Sequence, residues 1–137
     1  MSSARAKAPP RLTETQVHLQ VAAYNRKVGL GGGALMFHIR GERAGASQRM
    51  AATRAGVMAG LPDWAVVNNG RAGFIELKPQ GWRDRRAKND KYTRHELRQL
   101  AVQRQLVEAG CWIAICESFE EVLHALMEHQ VRILKWP

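Results

Sequence analysis

Two acidic residues and a lysine make up the pattern in this chain that could do chemistry. Asp63 follows Leu61-Pro62, and Glu76 and Lys78 are separated by one residue further along the chain. Mg²⁺ is bound in proteins by one or two carboxylates and keeps several waters for a substrate. A nearby amine can offset negative charge. Such a set could hold a divalent cation and hydrolyse a phosphodiester bond.

The residues between these groups predict that they converge. Residues 64–67 and 72–77 have the apolar character of short strands, and Asn69-Gly70 is typical of a two-residue hairpin turn. Directly opposed residues on such a hairpin share one face, with Cβ atoms about 4.5–5.5 Å apart. Lys78 lies on the face of Glu76 because side chains alternate. The turn predicts four pairs: Asn68 with Arg71, Val66 with Gly73, Trp64 with Ile75, and Asp63 with Glu76.

Two opposed carboxylates repel each other unless a positive charge lies near them. A divalent cation would neutralise them, with help from Lys78. The alternative is a surface hairpin on which Asp63 is solvated and Glu76 forms an ion pair with Lys78. The predicted register favours the metal site.

A helix that begins after Thr13 carries a third acid, Glu14. Thr13 and Gln16 have the spacing of a capping box. Glu14 lies on the apolar stripe of this helix, where it either complements the helix dipole or points toward the metal. The sequence leaves both roles open. The stripe consists of Val17, Val21, Tyr24 and Val28.

The remaining elements predict an α/β fold. We expect strands at residues 34–40, 111–116 and 131–136, helices at 46–57 and 93–109 and from 118 onward, and a polar loop at 79–92. The apolar strand 111–116 has the character of a central strand, and His38 is expected to be a core residue. Together these elements predict a single domain with a central mixed sheet flanked by helices.

The composition points to a polyanionic partner. The chain of 137 residues has a net charge of +9, and residues 1–11 read as a flexible basic tail ahead of a domain at 12–137. The two cysteines have no metal-ligand spacing and are expected to be reduced, in the cytoplasm, and no membrane span is expected. The candidate phosphate contacts are Arg49, Arg54, Arg83, Arg85, Arg86, Lys88 and Lys91.

The ordered set of motifs resembles the VRR-NUC branch of the PD-(D/E)xK nuclease superfamily over roughly residues 12–130. The resemblance rests on Leu61-Pro62-Asp63, on Phe74-Ile75-Glu76-Leu77-Lys78, on the helix with Glu14, on Phe37-His38-Ile39, and on Gln99 seven residues before Leu106. It implies a restriction-endonuclease-like fold and a deoxyribonuclease that depends on Mg²⁺, with Mn²⁺ as a substitute.

The resemblance also implies a role for each matched residue. Asp63, Glu76 and the Leu77 carbonyl would bind the metal, with Glu14 as an additional ligand. Lys78 would orient or activate the attacking water, and Gln99 would support the site. Small members of this branch are associated with homodimers that act on branched DNA such as four-way junctions. The basic loop at 79–92 is longer than the usual link, which bears on substrate preference and on Gln99.

Two other functions fit the same sequence. One is a non-catalytic DNA-binding module in which the acids are structural. The other is a sequence-specific restriction-type endonuclease. Cleavage assays on branched and linear DNA distinguish all three.

Overall fold

A mixed α/β architecture is observed in the computed structural model, which describes residues 10–39, 54, 56, 58–89 and 91–136. Within these residues a four-stranded mixed sheet is flanked by helices, as predicted at this level. The elements are α1 (Glu14–Lys27), β1 (Leu35–His38), β2 (Trp64–Asn68), β3 (Arg71–Leu77), α2 (Trp82–Lys88), α3 (Arg94–Glu108), β4 (Trp112–Cys116) and α4 (Phe119–Glu128).

The hairpin has the predicted register. The strands lie in the order β1-β2-β3-β4. The strands β1 and β3 are each antiparallel to β2, and β4 is parallel to β3. Asn68 pairs with Arg71, and Trp64 pairs with Ile75. Both residues of the turn have positive φ, 50° at Asn69 and 72° at Gly70, as a type I′ turn requires. Asp63 and Glu76 are the next residues along this register.

The helices α1, α3 and α4 begin where the sequence predicts. Thr13 and Gln16 form a capping box on α1, and Thr93 and Glu96 form one on α3. The Ser118 side chain accepts a hydrogen bond from the Glu121 N–H at the start of α4. These bonds satisfy amide groups that lack a partner within the helix.

The main core lies between the sheet and the helices α1 and α4. Val17, Val21, Ile75, Leu77 and Leu123 are fully buried there. Because Ile75 and Leu77 face this core, Glu76 between them faces the opposite side of the sheet. That side is where α3 packs, so the sheet has helices on both faces.

One glycine is required by this packing. A Cβ atom at Gly73 would lie 1.8 Å from the Trp112 ring, which stacks in turn on His129 with ring centroids 4.3 Å apart. The absence of a side chain at Gly73 therefore allows the indole to cover β3.

Three predictions about the elements are wrong. Residues 82–88 of the expected polar loop form the helix α2. Hydrogen bonds to Glu117, in a distant part of the chain, hold the start of this helix. Among the strands of the described residues β4 lies at an edge, not in the centre. It is apolar because α3 and α4 both pack against it. The expected strand at 131–136 is reduced to an isolated bridge between Leu30 and Ile133.

Other predictions are only partly covered by the described residues. Arg54 is helical and exposed, whereas the rest of the expected helix at 46–57 lies largely outside the described residues, as do residues 1–9 of the expected tail. Cys116 is buried and Cys111 is partly exposed, and both are free thiols. None of the helices in the described part of the chain has the length and apolar character needed to cross a membrane.

Candidate active site

Asp63 is held at the start of β2 by contacts from two strands. Its carboxylate oxygen Oδ2 accepts a hydrogen bond from the N–H of Leu77 at 2.7 Å. Its backbone carbonyl accepts from the N–H of Ile39 at 2.8 Å and contacts Nδ1 of His38 at 2.8 Å. These contacts fix the Asp63 carboxylate beside β3. Leu77 contributes its backbone N–H group to this arrangement. The role of its carbonyl oxygen as a metal ligand stays a prediction.

Glu76 is a buried acid that is only half satisfied. Its side chain is 2% exposed. Oε1 accepts a hydrogen bond from Nε2 of Gln99 at 3.0 Å and lies 3.8 Å from Nζ of Lys78. Oε2 is buried, and no group of the described residues donates a hydrogen bond to it. A buried carboxylate oxygen without a hydrogen-bond donor costs free energy. A proton or a cation at this atom would therefore be stabilising.

The electrostatic environment of Glu76 favours a bound proton, because it raises the pKa of this carboxyl. Burial, the largest cause, and the negative charge of Asp63 together raise the pKa of Glu76 to about 8, although Lys78 acts to lower it. Glu14 also raises the pKa of Glu76 by its charge. Three acids of the predicted site therefore interact electrostatically.

Gln99 connects Glu76 to Lys78. While its Nε2 donates to Glu76, its Oε1 accepts from Nζ of Lys78 at 2.9 Å, and both Gln99 and Lys78 are buried. The Lys78 ammonium group also lies 5.3 Å from the centre of the Trp82 ring, where a cation is attracted to the aromatic face. The ammonium group thus has a fixed position between an amide and an indole.

A close backbone approach brings Gln99 to the site. Gly60, three residues before Asp63, has a φ of +82°, and a Cβ atom there would lie 3.0 Å from the carbonyl oxygen of Arg98. The loop before Asp63 therefore packs directly on α3 beside Gln99. A side chain at position 60 would push α3 away from this loop.

The start of α1 is attached to the segment after Lys78. The N–H of Leu12 donates to Oε1 of Gln80 at 2.9 Å, and the N–H of Gln80 donates to the Leu12 carbonyl at 3.0 Å. Leu12 is two residues before Glu14. This reciprocal pair therefore holds the end of α1 that carries Glu14 close to the end of β3.

The residues present fit a hard divalent cation at Asp63 and Glu76. Both offer carboxylate oxygens, and the unpartnered Oε2 of Glu76 would gain a ligand bond from such an ion. Within the described residues, no three or more His, Cys, Asp and Glu side chains are grouped in a way that could hold a metal. Mg²⁺ requires only one or two carboxylates, because waters complete its shell. In this structure Glu14 therefore acts on the site through its negative charge.

The predicted phosphate contacts fall into two groups. Arg83 is engaged internally: its guanidinium donates to Glu121 and to the Ile115 carbonyl and lies 3.2 Å from Glu117. Arg86 is also engaged: its Nη1 donates to the Lys91 carbonyl at 2.6 Å. Arg49 lies outside the described residues. Arg83 is exposed despite these contacts, and Arg54, Arg85, Lys88 and Lys91 are exposed as well.

The sequence did not predict a cluster of aromatic rings beside Asp63, which consists of His18, His38 and Trp64. His38 is exposed, not in the core as predicted, and its ring lies 4.5 Å from that of His18. Nε1 of Trp64 donates to Nδ1 of His18 at 3.3 Å. The signal that could have found His18 is its position one helical turn after Glu14, on the same side of α1. The exposure of His38 was not predicted because it depends on the position of β1, which lies at an edge among the described strands.

Comparison of the chain with protein-family models, with curated proteins and with solved structures found no match. The chemistry of the site is therefore the basis on which a function can be assigned. That chemistry combines two adjacent carboxylates, a fixed ammonium group and a basic surface.

Proposed function

We propose that the chain is a divalent-metal-dependent DNA endonuclease with a restriction-endonuclease-like fold, related to the VRR-NUC branch of the PD-(D/E)xK superfamily. One observation carries the proposal. The buried carboxylate of Glu76 has an unpartnered oxygen, lies beside Asp63, and is connected through Gln99 to the ammonium group of Lys78. A purely structural ion pair would not need the second acid.

The proposed reaction is hydrolysis of a phosphodiester bond with Mg²⁺, or with Mn²⁺ in its place. When bound at Asp63 and Glu76, the divalent cation supplies Lewis acidity and lowers the pKa of water at the site. Lys78 is held by Gln99 so that its positive charge offsets the charge that develops on the phosphate. Gln99 also fixes one oxygen of Glu76, which leaves the other for the cation. Glu14 adds negative charge that favours cation binding.

The surface charge supports DNA as the substrate. The net charge of +9 and the exposed cations Arg85, Lys88 and Lys91 favour a phosphate backbone. We infer that the preferred substrate is branched DNA and that two copies of the chain act together. Leu97, Leu100 and Val107 support the dimer, because they are 38–56% exposed on α3 and such apolar surface is typical of interfaces.

The test is a cleavage panel of branched, flapped and linear DNA with Mg²⁺ or Mn²⁺. We expect the wild-type chain to cut, and Asp63→Asn to reduce the rate by at least about 100-fold. Asp84→Asn, which alters an exposed acid on α2, is the matched control and should not change the rate.

Each alternative function predicts another outcome of this panel. DNA binding without cleavage of any substrate would identify a non-catalytic DNA-binding module. Discrete fragments from plasmid DNA would identify a restriction-type endonuclease. Cleavage that persists in Asp63→Asn would contradict the proposed site.

A further inference from the structure

Tyr92 is an exposed aromatic residue whose ring is held in a fixed plane. It is 45% exposed, and the guanidinium carbon of Arg86 lies 3.7 Å from its ring centroid. Arg86 is fixed in turn, because its Nη1 donates to the Lys91 carbonyl at 2.6 Å. The Lys91 N–H donates to Oδ1 of Asn89 at 3.1 Å. The ring is therefore held by contacts from the segment that precedes it in the chain.

This ring adjoins the candidate active site. Tyr92 lines one small pocket together with Lys78, Trp82 and Gln99. The exposed cations Arg85 and Lys88 lie on the helix just before it. A partly exposed aromatic ring beside a cationic surface is a common arrangement for binding a nucleobase and its phosphates.

We propose that Tyr92 stacks an unpaired nucleobase next to the phosphate that is cut. This inference rests on the proposed function and narrows its substrate class to DNA with an unpaired nucleotide at or beside the branch. A base within a continuous duplex has both faces covered by its neighbours, so only an unpaired or extruded base can offer a face to the ring. The contact is tolerant of sequence because every base has such a face.

The experiment measures DNA binding by fluorescence anisotropy in EDTA, so that cleavage does not contribute. Three ligands are compared: a perfect duplex, the same duplex with one unpaired base, and the single strand. We expect Tyr92→Ala to weaken binding of the two ligands with unpaired bases by about 10-fold, and that of the perfect duplex by less than about twofold. Tyr92→Phe keeps the ring and should bind as the wild type does.

Trp136→Ala is the matched control, since Trp136 is also an exposed aromatic residue, 48% exposed, but contacts His124 instead of α2. It should not change the affinities. A 2-aminopurine at the unpaired position should lose fluorescence on binding the wild type and keep it on binding Tyr92→Ala.

Equal loss of affinity for all three ligands in Tyr92→Ala, or no loss, would overturn the stacking role. Because no metal is present, this result is independent of whether the chain cleaves DNA. If Mg²⁺-dependent cleavage is observed and stacking is not, only the present inference is contradicted.

Discussion

The side-chain amide of Gln99 donates a hydrogen bond from Nε2 to Oε1 of Glu76 at 3.0 Å. The same amide accepts a hydrogen bond from Lys78 through its carbonyl oxygen. One side chain from α3 thus orients an acid and a base that lie two residues apart on β3. A direct ion pair is longer, with 3.8 Å between Lys78 Nζ and Glu76 Oε1. The amide therefore keeps the two side chains apart, and each remains able to act on other groups.

Replacement of Gln99 by alanine should impair cleavage more than folding. Without the amide, Lys78 is drawn toward Glu76 and loses its fixed position. We expect the rate of metal-dependent DNA cleavage to fall by about 10- to 100-fold, the range for groups that orient metal-site residues. Gln103→Ala is the control, because Gln103 is equally buried one turn further along α3. Similar losses of cleavage in both variants would indicate a general defect in α3.

The stability of the metal-free protein should fall as the pH rises through neutrality. The folded state keeps a proton on Glu76 up to about pH 8, whereas the unfolded chain releases it near 4.5. Between these values the folded state binds more protons, so the free energy of unfolding decreases with rising pH. Below both values the contribution is fully present, and above about 8 it is lost. Urea unfolding below, between and above the two pKa values measures this slope.

Glu76→Gln should remove this part of the slope, because glutamine does not titrate. Glu128→Gln, an exposed position on α4, should retain it. Mg²⁺ should stabilise the wild type most at the alkaline end, because the proton no longer competes with the cation. A slope that is the same in wild type and Glu76→Gln would show that Glu76 does not hold the proton.

Gln80 should influence cation binding although it offers no carboxylate. Gln80→Ala removes the acceptor for the Leu12 N–H and loosens the end of α1 that carries Glu14. We expect affinity for Mn²⁺, measured by calorimetry, to fall about fivefold, the equivalent of one net hydrogen bond. Gln80→Glu retains an acceptor oxygen and should bind Mn²⁺ at least as well as the wild type. Equal weakening in both variants would contradict a role for this hydrogen bond.

Arg83 and Arg85 should have different effects although they are two residues apart on α2. Arg83→Ala breaks the contacts to Glu117, Glu121 and Ile115, so we expect a loss of about 1 kcal/mol in the free energy of unfolding. Arg85 is exposed, and no ion pair or hydrogen bond joins its side chain to another described residue. Arg85→Ala should therefore leave stability unchanged and weaken DNA binding, with a shallower dependence on salt. Thermal unfolding and anisotropy titrations at several salt concentrations separate the two. Equal effects of the two variants on DNA binding would place Arg83 in the nucleic-acid interface.

The parts of the fold that could be predicted from the sequence depend on local chemistry. Asn69-Gly70 determines the turn, and the turn with strand alternation determines which residues oppose each other. The capping boxes at Thr13 and Thr93 are likewise contained within four residues. These features placed Asp63, Glu76 and Lys78 on one side of the hairpin.

The features that could not be predicted depend on residues far apart in the chain. Helix α2 begins where Glu117 accepts hydrogen bonds from the N–H groups of Gly81 and Arg83, over 30 residues earlier. The pairing of Leu12 with Gln80 spans 68 residues. No local sequence pattern predicts such contacts, because each forms only when the sheet is assembled. The same holds for the contacts of the exposed Arg83 with Ile115 and Glu121, which lie more than 30 residues later in the chain.

The most direct test of the proposed site is single-turnover cleavage of branched DNA with Mg²⁺ by the wild type and by Lys78→Ala. We predict cleavage by the wild type, a loss of at least about 100-fold in Lys78→Ala, and unchanged DNA binding in EDTA. Lys88→Ala, which removes an exposed lysine on α2, should keep the single-turnover rate at saturating protein. Absence of cleavage by the wild type, or an equal rate in Lys78→Ala, would contradict the assignment of Asp63, Glu76 and Lys78 as a nuclease site.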